Sequence, residues 1–232
     1  MKIKSIGAKL IASIVTLLVV TCIALGILSF TNSSSALQEQ VETNLVWKAE
    51  DVSHYMEEVF KRLFGEVELI ADQAVVQEMD LEKQFIYLNE QLAKRSDYLA
   101  FGIIDEKGIS HYSDGTTADL SDRDYVIDAF NGETAMSDIL ISRVTNEPVL
   151  MIATPIDTTT GEKALLLARM DGYVLSDVVK DIQVGETGYA LIVNEDGAIQ
   201  GHANRDYVKN EMNFITQSQE TGEMKGEAAA IQ

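Results

Sequence analysis

The sequence predicts an α+β protein built from one N-terminal transmembrane helix, a long helix that follows it, and an antiparallel sheet flanked by helices. Three observations carry this. Leu10 to Phe30 is a run of 21 uncharged residues. Beyond it, apolar residues recur at steps of three and four, the spacing of a single helical stripe. From Tyr98 the period shortens to that of strands, punctuated by acidic turns that end in glycine.

Charge narrows the function classes. The 232 residues include 18 basic and 37 acidic side chains, a net charge of −19, which disfavours a nucleic-acid partner. The first 38 residues hold Lys2, Lys4 and Lys9 and no acid, leaving 15 bases against 37 acids, a net −22, for the remainder. Three histidines and one cysteine, Cys22 inside the apolar run, argue against a zinc site or a disulfide scaffold, so no metal and no cofactor is expected.

The apolar run spans about 30 Å as a helix, and the hydroxyls of Ser13, Thr16, Thr21 and Ser29 are able to bond back to helix carbonyls. It exceeds the apolar core of a signal peptide and passes into SFTNSSSALQEQ without a clean Ala-x-Ala cleavage site, so it reads as a retained anchor. Lysines before it and acids after it place the N-terminus in the cytoplasm and the bulk of the chain outside. The next stripe runs through Leu45, Ala49, Val52, Met56, Val59, Leu63, Val67, Ile70 and Ala74, with Ser34 or Ser35 as N-cap. Its near-heptad steps suit a parallel homodimer. A shorter helix spans Leu81 to Lys94. Strands are expected at 98–104 and 109–113, joined by the turn DEKG, then a short helix over 122–130 with Tyr125, Val126, Ala129 and Phe130 inward. Three more strands follow at 135–141, 148–156 and 164–170. An amphipathic helix carries Val174, Leu175, Val178, Val179 and Ile182, and a closing hairpin joins 189–193 to 198–202. The two hairpins, GIIDEKGISHYS and ALIVNEDGAIQGH, echo one another.

The order of DLSDRDYVIDAFNGE (119–133), SDILISRVTNEPVLMIATPI (137–156), LLARMDGYVLSDVV (166–179) and VGETGYALIVNEDGAIQGHANRDYV (184–208) resembles the double Cache sensor domain of bacterial transmembrane receptors. The resemblance covers roughly residues 1–215 and implies a PAS-like sheet forming a membrane-distal ligand-binding lobe. The resulting division is a cytoplasmic N-terminus at 1–9, a transmembrane helix at 10–31, a spine helix and second helix at 32–95, the distal lobe at 96–210, and the start of an incomplete membrane-proximal region at 211–232. It further implies a methyl-accepting chemotaxis protein, or else a sensor kinase or diguanylate cyclase. Any chemotaxis kinase and adaptor would be reached through a cytoplasmic part lying outside this sequence.

In members that bind amino acids, an arginine and an aromatic two positions later hold the ligand carboxylate, and a strand-end aspartate holds the ammonium. Arg123, Tyr125 and Asp171 match those positions, while Val126, Leu140 and Ser142 depart from the pattern. From chemistry alone, the planar fork of Arg123 suits a carboxylate, or else pairs with neighbouring acids. Asp171 suits an ammonium or caps the helix after it. Tyr125 and Tyr112 offer ring walls or core packing. The expected site is therefore Arg123, Tyr125, Asp171, Tyr112 and Ser142, for a small molecule such as an amino acid, carboxylate or amine. No nucleophile-elbow, metalloprotease, phosphate-loop or dinucleotide fingerprint is present, so no catalytic residue is named. A membrane-anchored exported hydrolase is the competing class, to be favoured by a buried carboxylate–histidine pair in an open cleft.

Overall fold

The computed structural model describes residues 6–184 and 188–221, so the basic residues Lys2 and Lys4, most of the VGETG loop and the end of the chain lie outside the described residues. The chain divides between Phe60 and Lys61 into two compact units. A single uninterrupted helix, α1 (Ile6–Ala71), begins in the first. Within it lies a segment long and apolar enough to cross a membrane. Its hydroxyls are spent internally, Ser13, Thr16 and Thr21 donating to the carbonyls of Lys9, Ala12 and Leu17 at 3.1, 2.8 and 3.0 Å. Ser34 and Ser35 were expected to start a new helix; both lie inside α1, because no proline or capping bond interrupts the ladder there. The stripe is buried at Leu63, Val67 and Ile70, whereas Leu45 and Ala49 are exposed. Ala74 falls beyond the helix, in the turn α2 (Ala74–Gln77).

In the second unit, α3 (Leu81–Leu92) starts at the N-cap Asp80, which accepts the Lys83 N–H. Buried Gln84 donates to the Val76 carbonyl at 2.6 Å, tying α3 to α2. The strands are β1 (Tyr98–Ile104), β2 (Ile109–Tyr112), β3 (Thr117–Asp119), β4 (Ala135–Met136), β5 (Leu140–Ile141), β6 (Pro148–Ile156) and β7 (Ala164–Asp171). They form one antiparallel sheet in the order β3-β2-β1-β7-β6-β4, with β5 also paired to β6. The long central pair β6 and β7 is apolar on both faces, as burial on both sides requires. One face carries Ile104, Met151, Ala153, Leu165 and Leu167 and packs against Tyr125, Val126 and Ala129 of α4 (Asp124–Phe130). Toward α1, the Tyr98 hydroxyl donates to Glu66 at 3.1 Å.

Two expectations need correction. The strand over 135–141 is split into β4 and β5, because Ser137 turns inward to take the Met151 N–H at 3.0 Å and Ile139 bonds away from the sheet. After α5 (Val174–Val179), β8 (Gln183–Val184) pairs only with β9 (Gly188–Tyr189), and the closing hairpin β10 (Leu191–Val193) and β11 (Ile199–His202) forms a separate two-stranded sheet. It packs on α5 and α6 (Arg205–Lys209), and Tyr189, His202, Tyr207 and Phe214 of α7 (Phe214–Thr221) stack in series at 4.6–5.6 Å. The two hairpins do share their turn. In each, a side-chain oxygen, of Asp105 or Asn194, accepts the N–H four residues on, and Gly108 and Gly197 sit at φ +81° and +80°, where glycine is favoured.

Candidate functional site

A cleft of about 430 Å³ opens between the start of α4, the segment 136–140 and the β10–β11 hairpin. Its walls are fixed by polar ties. The Gln200 Oε1 accepts the buried Ile139 N–H at 2.6 Å, and Asn194 Nδ2 donates to Asp138 at 2.6 Å. Lys209 reaches Glu147 at 3.1 Å from the same side. The cleft is lined by Asp124, Asp128, Asp138 and Glu211, with Arg123 as the one basic residue among its lining side chains.

Arg123 is the N-cap residue of α4, held in extended backbone geometry with its N–H on the Leu120 carbonyl. Its side chain is half-buried, and its Nε is buried without a hydrogen-bond partner. Pairing with the neighbouring acids, Asp122 and Asp124, was the competing expectation for this residue, and neither makes a described ion pair with it. Asp122 instead receives both arms of Arg143 at 2.7 Å, which also donates to the Asp119 carbonyl. The Arg143 fork holds the Asp122 carboxyl down to about 2. Arg123 is thereby left without a counter-charge among the described ion pairs.

Tyr125 lines the cleft and is 4% exposed. Burial, reinforced by the neighbouring Tyr112, pushes its phenol well above the ordinary range. Tyr112 is likewise buried in the same apolar cluster, with the Arg169 guanidinium 5.2 Å from its ring centre. The structure therefore brings Arg123, Tyr125 and Tyr112 into one neighbourhood. Asp171 is exposed at the end of β7, outside the cleft lining, and its Oδ1 accepts the Tyr173 N–H at 2.9 Å. Ser142 is buried, and its hydroxyl oxygen accepts the N–H groups of Val144 and Thr145 at 3.2 Å, so it shapes the turn into β6. Sequence reasoning missed Ser137, Asp138 and Gln200, which are polar residues in ordinary-looking loops and strands. It also missed Arg169, although a charge inside the apolar strand ALLLARM is a readable signal.

These features sit in a known family. A profile of the Cache domain, dCache_1, matches residues 33–230, and the chain belongs to that family. No protein of curated function matches it. Solved structures with the same fold include the ligand-binding domain of the Pseudomonas fluorescens chemoreceptor CtaA in complex with L-isoleucine. That domain is 16% identical with a TM-score of 0.61, over 76% of this chain and 74% of that one. The ligand-binding domain of the Pseudomonas aeruginosa amino-acid chemoreceptor PctC in complex with GABA is also 16% identical. It has a TM-score of 0.58 over 73% of this chain and 77% of that one. The ligand-binding domain of Mlp24 with asparagine is 17% identical, with a TM-score of 0.59 over 79% and 77%.

Proposed function

We propose that this chain is the extracytoplasmic ligand-sensing region of a bacterial transmembrane receptor of the chemotaxis type, binding a small molecule through Arg123 and Tyr125. The carrying observation is an arginine that takes part in none of the described ion pairs, its Nε buried and unpartnered, at a cleft in a Cache domain. A buried donor without a partner is unfavourable, which supports an acceptor supplied from outside the chain. Solved neighbours hold amino acids or GABA, which supports an amino acid, carboxylate or amine as ligand class.

The anchor reading rests on the uncharged run Leu10–Phe30 with Lys9 before it. A reporter fused to the C-terminus should be active only in an exported compartment, and cytoplasmic activity would overturn the orientation. For the site, calorimetric titration of the full chain in nanodiscs against amino acids, carboxylates and amines identifies the ligand. Arg123→Ala should then weaken binding at least tenfold, about 1.4 kcal/mol. Equal affinity of the two proteins would remove the clamp. The hydrolase alternative gains nothing from the His111–Asp105 pair at 3.2 Å. That pair closes a hairpin turn, stands outside the cleft lining, and shares Asp105 with the N–H groups of Lys107 and Ile109.

A further inference from the structure

Six arginines are present, and four of them have hydrogen-bonding acceptors: Arg62 on Glu66, Arg95 on Gln91, Arg143 on Asp122 and Arg205 on Asp177. The other two, Arg123 and Arg169, take part in none of the described ion pairs, and both have buried guanidinium nitrogens without partners. For Arg169 these are Nε and Nη1. Strand alternation puts Arg169 on the same face of β7 as Leu165 and Leu167, which belong to the apolar cluster that includes Tyr112 and Tyr125. Its partners in register are Ala100 and Met151. The guanidinium has the Tyr112 side chain for company, and at longer range the exposed Asp114, whose carboxylate is committed to the N–H and hydroxyl of Thr116.

Two guanidinium groups outside the described ion pairs, one beside Tyr112 and one at the helix start that bears Tyr125, describe a place for two negative charges. We infer that Arg169 is a second ligand contact and that the ligand is a dianion of the dicarboxylate class, with one carboxylate on each arginine and the tyrosine rings between them. This rests on the ligand-sensing reading above and narrows it. Planar forks with several donors match carboxylates, and a ligand with one acidic group leaves one fork unmet.

The test is calorimetry on the full chain in nanodiscs with the unbranched dicarboxylates from malonate to adipate, butyrate, inorganic phosphate and L-alanine. Expected is tightest binding by one dicarboxylate, at least tenfold weaker binding of butyrate, and at least a tenfold loss of dicarboxylate affinity in Arg169→Met. Should that variant fail to fold, Arg169→Lys, which keeps the charge and loses the fork, serves the same comparison. Tightest binding by butyrate, phosphate or L-alanine, or dicarboxylate affinity unchanged in both variants, overturns the inference and leaves the sensor reading standing. Binding by no compound of any class counts against both.

Discussion

Replacing Gln200 by Ala probes what holds the cleft in shape. Gln200 is 7% exposed, and its Oε1 is the acceptor for the Ile139 N–H, in the segment where β4 and β5 are interrupted. Without it, that donor is stranded in the protein, since the neighbouring Ser137 carries the bonds to Met151. A buried donor left unsatisfied costs about 1–3 kcal/mol. Taking about 2 kcal/mol, a unit of this size should melt about 4–8 °C lower. The Ile139 amide should exchange with solvent about thirtyfold faster. Thermal unfolding gives the first number, and hydrogen-exchange mass spectrometry of peptides covering 137–141 gives the second. A melting change under about 1 °C together with unchanged exchange at Ile139 would show that the bond does not fix this wall. Ligand affinity should fall as well, because Ile139 and Gln200 both line the cleft.

Further outcomes follow from single contacts. Gly172→Ala places a Cβ 2.5 Å from the Pro148 carbonyl carbon and 2.7 Å from the Val149 nitrogen, both backbone, so urea titration should show a loss of at least about 1–3 kcal/mol. Gly115→Ala, strained by φ +83° but facing open space, should lose about 1–2 kcal/mol in the same titration. Burial lowers the His202 pKa, and its Nδ1 accepts the Asn204 N–H while Nε2 is buried without a partner. The unfolded state then binds the proton first, so stability holds above about pH 6.5 and falls as pH drops below it. His202→Asn should flatten that part of the profile in denaturant titrations at pH 7.5 and 5.5, and an unchanged slope would refute the assignment. Asp171→Asn keeps an oxygen for the Tyr173 N–H and should leave stability within about 0.5 kcal/mol. Dicarboxylate affinity should hold or rise in that variant, and a tenfold fall in affinity for an amino acid would instead place Asp171 against a ligand ammonium.

How much of this was readable in the sequence depends on how local the determinant is. The strands at 98–104 and 148–156 were legible to the residue, because apolar runs bounded by turn residues leave few alternatives. The helix bearing Tyr125 was legible from its inward spacing. The missing break at Ser34 was not, since a capping residue and a serine in the middle of a long helix look alike until the ladder is seen. The split of β4 from β5 depends on Gln200, 61 residues away from Ile139, and no local pattern encodes that bond. The separate closing sheet is similar: its hairpin turn was visible, whereas its packing on α5 and α6 rests on long-range contacts. Arg123 and Tyr125, proposed from their motif, both line the cleft. The fact that gives Arg123 its meaning, the capture of Asp122 by Arg143, needed the fold.

The central claim is that Arg123 and Tyr125 hold the ligand of a sensor domain. The most direct measurement is a structure of the chain bound to the tightest compound found by calorimetry. An anionic group of that compound should lie within hydrogen-bonding distance of the Arg123 guanidinium, with the Tyr125 side chain against it. A ligand seated elsewhere in the chain, with the Arg123 guanidinium touching no part of it, would refute the clamp.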